Sequence, residues 1–105
     1  MATYISVKKA VIDLVDDFTE ADVADNYVPQ GKAIYNAKTK LVKLYITEPV
    51  LAIMPIRFNK AMKKVSGKSW TDVGSLDLVD KKTIGELILL ACGNSGTKVP
   101  VGEPT

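Results

Sequence analysis

The sequence predicts a single small α+β domain, in which three or four helices pack against an antiparallel β-hairpin or small sheet. Apolar residues recur at helical spacing in some segments and alternate at strand spacing in another. The length of 105 residues allows one hydrophobic core. We expect residues 1–92 to form this domain. Residues 93–105 contain three Gly and two Pro, which predicts a flexible C-terminal arm.

The first helix is predicted over residues 4–18. Its apolar side chains follow one another at alternating steps of three and four residues, which places them on one helical face: Tyr4, Val7, Val11, Leu14 and Phe18. Thr3 is a suitable N-cap for this helix. A short second helix over residues 19–25 and a loop over residues 26–31 are expected to follow.

A β-hairpin is predicted over residues 32–47. Residues 33–35 form its first arm, and residues 36–40 contain its turn. In the second arm the apolar residues alternate with Leu41, Lys43 and Tyr45, so that one face is apolar and the other mixes Lys and Tyr. The apolar run that follows, over residues 50–54, fits a buried strand or a short helix.

A basic helix is predicted from Pro55, which suits a first helical turn, to about Ser66, with Gly67 as its C-cap. The residue before a proline is biased away from helix, which favours a start at this position. Apolar side chains share one face of the helix and basic side chains lie opposite: Phe58, Ala61, Met62 and Val65, then Arg57, Lys60, Lys63 and Lys64.

The last helix is predicted from a capping box, Thr83 with Glu86, to about Cys92, with Gly93 at its end. Its residues leave no polar face. A helix that is apolar all round must be buried on all sides, so it is either the central core helix or a subunit interface. Between the two helices, Trp70 is expected to anchor an irregular segment to the core.

The composition argues against an enzyme. The chain has no histidine, so the commonest general base and metal ligand is missing. Its single cysteine, Cys92, is expected to be a small buried hydrophobe. The segment 66–69 resembles the end of a phosphate-binding loop, but Met62 stands where that motif requires its first glycine. We expect no catalytic residue, no cofactor and no metal.

The charges are distributed unevenly along the chain. Residues 1–30 carry two basic and six acidic side chains, whereas residues 31–70 carry nine basic and one acidic. Residues 71–105 carry three basic and five acidic side chains. The basic block could contact nucleic acid phosphates, or the acidic and basic segments could complement each other between copies. A third interpretation is that both are solvated surface.

The sequence favours a non-enzymatic structural or interaction protein that acts by self-assembly or by docking on a larger assembly, such as a virus particle. The opposite charges, the apolar last helix and the Gly/Pro arm lead to this hypothesis. The partner would be a copy of the chain or another protein. Lys60, Lys63 and Lys64 would meet the acidic segment of the next copy. The expected contacts of that segment and of the last helix are Asp16, Asp17, Asp22, Leu87, Ile88 and Leu90.

A small nucleic-acid-binding protein is the alternative, with residues 32–68 as its contact surface. Lysines interleaved with tyrosines on a strand can neutralise and stack on a single strand. The contacts expected for nucleic acid or an acidic partner are Lys38, Lys43, Tyr45, Arg57, Lys60, Lys63 and Lys64. A weaker alternative is a regulatory or inhibitory protein that occludes a partner surface through its acidic first helix.

The sequence predicts a location in the cytoplasm or within an assembled particle, and no membrane partner. No apolar run approaches the roughly 18 residues of a membrane-spanning helix. Lys8 and Lys9 precede a short apolar stretch, but Asp13 interrupts it too early for a signal peptide. The lone Cys92 cannot form an intramolecular disulfide.

Overall fold

A computed structural model describes residues 3–17, 35, 37–40, 48–72 and 83–104, with residues 48–54 described by their backbone alone. This part of the chain contains three α-helices, which are α1 (Tyr4–Asp17), α2 (Glu48–Ser66) and α3 (Ile84–Ser95). A single 3₁₀ turn, Gly67–Ser69, follows α2. Helix α1 packs against both α2 and α3, and α2 and α3 also contact each other.

The predicted α+β class is wrong, because the residues that the structure describes are helical and contain no strand or sheet. Within them, the pairing of Lys40 with Thr83 is an isolated antiparallel bridge. Ala37 and Lys38 do lie in a turn, as predicted. Residues 32–34, 36 and 41–47 of the predicted hairpin, the short helix over 19–25 and the loop over 26–31 lie outside the described residues.

The segment 37–40 contacts the beginning of α3. The Ile84 N–H donates to the Thr39 carbonyl at 3.0 Å, and the Gly85 N–H donates to the Ala37 carbonyl at 2.9 Å. The first N–H groups of a helix have no acceptor inside it and need one elsewhere. The segment therefore satisfies the N-terminus of a helix. Within the described residues, this turn thus serves the start of α3.

Helix α2 begins at Glu48, which is earlier than predicted, and it continues through Pro55. The run over residues 50–54, which the pattern left open, is helical. Pro49 lies in the first turn, where its missing N–H costs nothing. Pro55 removes one helical hydrogen bond at a cost of about 3 kcal/mol. Burial of Phe58 and Met62, at roughly 1.5–3 kcal/mol each, offsets that cost.

Both predicted N-caps are confirmed. Thr3 Oγ1 accepts from the Ser6 N–H at 3.2 Å, and Ser6 Oγ accepts from the Thr3 N–H at 3.0 Å. In α3, Thr83 Oγ1 accepts from the Glu86 N–H at 3.1 Å, and Glu86 Oε1 accepts from the Thr83 N–H at 3.2 Å. The C-terminal end of α3 lies past its predicted position near Cys92, because the helix continues to Ser95 before the left-handed Gly96 (φ 69°).

The core is formed by one face of each helix together with Trp70. As predicted, Trp70 is buried, and its ring meets that of Phe58 edge to face at a centroid distance of 5.5 Å. The indole N–H donates to Asn59 Oδ1 at 3.1 Å. The buried core residues are Tyr4, Val7, Val11, Leu14, Val15, Phe58, Met62, Trp70, Ile84, Leu87, Ile88, Ala91 and Cys92.

The C-terminal segment 97–104 lies against α1. Glu103 Oε1 accepts hydrogen bonds from the Tyr4 hydroxyl at 3.0 Å and from Lys8 Nζ at 3.1 Å. Val99 packs against the core. The flexibility predicted for residues 93–105 is not tested by these contacts and stays a prediction. Of the helices described here, none is long and apolar enough to cross a membrane.

Candidate interaction groove between two helices

An open groove of about 610 Å³ runs between α1 and α2. Its floor is apolar and its two walls carry opposite charges. Helix α1 supplies the acidic wall and α2 supplies the basic wall. The floor is formed by Ala10, Leu14, Ala61 and Val65, the acidic wall by Asp13 and Asp17, and the basic wall by Arg57, Lys60 and Lys64.

The spacing of these residues explains why each wall is continuous. On α1 the groove residues stand at positions i, i+3, i+4 and i+7 from Ala10, which is a single stripe along a helix. On α2 they follow the same spacing from Arg57 and extend to Val65. Both stripes lie beside the buried faces of their helices. Two of the lining residues, Ala10 and Ala61, have side chains too small to fill the space between the helices.

Three charged side chains of the two walls are not used in ion pairs among the described residues. Asp17, Lys60 and Lys64 form no ion pair with any residue that the structure describes. Asp13 Oδ2 lies 3.1 Å from Lys9 Nζ, one turn away on the solvent side of the same helix. Exposed pairs of this kind contribute at most about 1 kcal/mol. The acidic wall can therefore accept a new basic partner at little cost.

The structure brings four of the predicted contact residues together in this groove, namely Asp17, Arg57, Lys60 and Lys64. The other predicted charged residues of known placement lie outside it. Asp16 is half-buried, Lys38 is exposed in the turn before α3, and Lys63 lies 3.4 Å from Asp72. The remaining three, Asp22, Lys43 and Tyr45, fall outside the described residues.

One face of α3 is buried in the core of its own chain. Leu87 and Ile88 are fully buried there, and Leu90 is partly buried against the same cluster. Leu89 is 46% exposed and is the large apolar side chain that this helix presents to solvent. The prediction that Leu87, Ile88 and Leu90 contact a protein partner has no test here, but the first two offer no surface in this arrangement.

Sequence reasoning missed the acidic residue Asp13 and the whole floor of the groove. A signal for them exists in the sequence. Asp13 and Asp17 are one helical turn apart, and each is preceded three residues earlier by an apolar residue, Ala10 or Leu14. This pattern indicates a charged row beside an apolar row. The sequence does not indicate that α2 packs beside that row, because this depends on the tertiary arrangement.

The described residues bring together no group of three or more side chains that could hold a metal ion. Cys92 is buried in the core, and burial raises the pKa of its thiol because the charged thiolate is poorly solvated there. Its thiol is thus held in its neutral, weakly nucleophilic form.

No protein-family model, no curated protein and no solved structure matches this chain.

Proposed function

We propose that this chain is a non-enzymatic structural or interaction protein that works by associating with other protein chains, foremost with copies of itself. The observation that carries the proposal is the groove between α1 and α2, with an apolar floor between walls of opposite charge. This arrangement has the anatomy of a small protein interface, in which an apolar centre is surrounded by a charged rim.

The two parts of the groove would contribute differently to association. Covering the floor would remove apolar surface from water, which stabilises a complex by about 25 cal/mol per Å². The charged walls would favour partners with the complementary pattern and disfavour others. A protein surface can carry both charge signs at short distance, so it suits this groove. The protein would act in the cytoplasm or within an assembled particle, such as a virus particle.

The test is the solution mass of the purified chain, measured by light scattering over a range of concentrations at low and high salt. We expect masses above the 11.4 kDa of one chain at low salt. We also expect the mass to fall at about 1 M salt, where the screening length shortens to roughly 3 Å and attraction between exposed charges is weakened. A monomer at every concentration and both salt levels would contradict self-association.

A nucleic-acid-binding function is the second candidate, and one observation favours it. Four basic side chains of α2 are exposed along a single helix: Arg57, Lys60, Lys63 and Lys64. Against this, the acidic wall of the groove faces three of these side chains, and Asp72 lies beside Lys63. Phosphates approaching the helix would meet carboxylates of the same sign.

This candidate is tested by the fluorescence anisotropy of labelled single-stranded and double-stranded oligonucleotides. Nucleic-acid binding predicts an affinity that falls steeply with salt, in proportion to the number of phosphates contacted. No binding of any oligonucleotide at low salt would reject it and leave protein association as the proposal.

A further inference from the structure

We infer that the groove between α1 and α2 binds a second copy of the chain around a two-fold axis that runs along the groove. In this arrangement the acidic wall of one copy, Asp13 and Asp17, faces the basic wall of the other, Lys60 and Lys64. The inference rests on the proposed function and specifies its contact surface and symmetry.

The signs of the walls select the axis. In a two-fold dimer the same surface patch of both copies meets itself. An axis that runs along the groove exchanges the walls, so α1 of one copy lies over α2 of the other. An axis that runs across the groove places each wall over its own counterpart, acid over acid and base over base. Like charges placed opposite each other cost several kcal/mol, so only the first axis is favourable.

The spacing of the charges fits this arrangement. Rotation about an axis along the groove leaves positions along the groove unchanged. Side chains that face each other across one groove therefore also face each other between the copies. Asp13 and Asp17 are one helical turn apart, as are Lys60 and Lys64. Each acidic pair thus has the same spacing as the basic pair that it meets.

The side chains required are exposed and available. Asp13, Asp17, Lys60 and Lys64 are all exposed at the rim of the groove. Among residues with a described position, Asp13 alone of the four has an ion-pair partner, the exposed Lys9. Association would therefore form ion pairs between copies without breaking a buried pair. The floor residues would become covered at the same time, which adds the apolar contribution that charges on a surface lack.

The alternative occupants fit the groove less well. A partner of one charge sign, such as a nucleic acid, would be attracted by one wall and repelled by the other. A copy of the chain carries both signs in the mirrored order that the two-fold axis requires. The two-signed groove is therefore self-complementary, which is the condition for an interface between identical chains.

The experiment uses two variants of the full chain, in which reversing the charge of one wall gives the groove one predominant sign, basic in one variant and acidic in the other. The Asp13→Lys/Asp17→Lys variant has two basic walls. In the Lys60→Glu/Lys64→Glu variant the α2 wall becomes mainly acidic, with Arg57 retained at one end. Each variant alone should lose self-association and show the 11.4 kDa mass of one chain in light scattering. An equimolar mixture should recover twice that mass, because every basic wall then meets an acidic wall. Repair of a contact within one chain cannot produce this rescue.

The matched control is Lys63→Glu/Lys68→Glu, which makes the same charge change on exposed residues outside the groove. It should associate with itself as the wild-type chain does. It has the same net charge as the acidic-groove variant, so it also tests attraction by net charge. Mixed with the basic-groove variant, it should leave that variant monomeric. Circular dichroism and thermal melting of all variants show that the helices are intact.

Three results would overturn the inference. If both groove variants associate as strongly as the wild-type chain, assembly uses another surface, and the proposed function stands without this groove. If both are monomeric and the mixture stays monomeric, the groove is needed but the two-fold arrangement is wrong. If the wild-type chain itself is a monomer at every concentration, the proposed self-association fails together with the inference.

Discussion

The two sides of α1 differ in how the rest of the chain covers them. On one side, Tyr4 and Lys8 are held by Glu103 of the C-terminal segment. About half a turn around the helix, Asp13 and Asp17 line an open groove. The first side is closed by its own chain, and the second is closed only in part by α2.

The difference comes from the size of the side chains at each contact. The core under α1 is filled by Val, Ile, Leu and aromatic residues that leave no exposed surface at positions such as Val7 and Ile88. The groove lining instead includes the small side chains of Ala10 and Ala61. Small residues at a helix contact thus leave space, and charged residues beside them keep that space open to water.

The largest expected effect comes from adding volume to each region. Ala91 is fully buried in α3, so Ala91→Leu should overpack the core and destabilise the fold by about 1–3 kcal/mol. Ala61 lies on the groove floor, where Ala61→Leu has open space to enter. This second change should alter the free energy of unfolding by less than about 0.5 kcal/mol. Urea denaturation of both variants measures the difference.

Equal destabilisation by the two substitutions would contradict the comparison, because it would mean that the groove is as tightly packed as the core. A useful control is Leu89→Ala, which removes volume from an exposed position of α3. It should change the free energy of unfolding little. A large change would mean that any substitution in α3 destabilises the fold, whether or not its position is tightly packed.

The helices were predictable wherever local signals agreed. In α1 the apolar stripe and the Thr3 cap point to the same element, and in α3 the Thr83 capping box marks the start. The division of the C-terminal half of α2 into a buried face with Phe58 and an exposed basic face was also visible in the sequence. These features depend on contacts between residues that are close in the chain.

The fold class and the groove could not be predicted from such local signals. The sequence predicts a hairpin turn near Ala37, whereas the carbonyls of this turn accept hydrogen bonds from N–H groups of α3, which is a long-range contact. Pro55 suggests a helix start, but its local cost is offset by burial further along α2. The groove depends on which sides of α1 and α2 face each other. Periodicity indicates which side of each helix is buried, but it does not indicate which other helix packs against that side.

A smaller effect is expected from the same substitution at two glycines of α3. A Cβ at Gly85 would lie 2.9 Å from both the Cβ and the carbonyl oxygen of Ala37 and 3.3 Å from Pro104 Cγ. Gly85→Ala should therefore destabilise the fold by roughly 1–2 kcal/mol. A Cβ at Gly93 would meet nothing within 4 Å. Gly93→Ala should stabilise the helix by about 0.5–1 kcal/mol.

Thermal melting of both variants gives the sign directly, with a lower midpoint for Gly85→Ala and a higher midpoint for Gly93→Ala. A higher midpoint for both would show that the segment around Ala37 yields without cost. Gly85 and Gly93 would then not differ in how tightly their surroundings are packed.

The smallest effect concerns two neighbouring lysines that form different ion pairs. Lys8 pairs with Glu103, and their side chains are only 17% and 24% exposed. Lys9 pairs with Asp13, with side chains 77% and 50% exposed. Lys8→Gln should cost about 1 kcal/mol, because it removes a partly desolvated, charge-assisted hydrogen bond on the closed side. Lys9→Gln should cost about 0.3 kcal/mol, as is typical of exposed pairs within a helix.

Urea denaturation at low and high salt distinguishes the two pairs. The small effect of Lys9→Gln should vanish at high salt, because exposed charges are screened, while most of the Lys8→Gln effect should persist. Equal salt dependence would mean that water reaches Glu103 as freely as it reaches Asp13. The C-terminal segment would then fail to seal its side of α1, and the two sides of the helix would differ in shape alone.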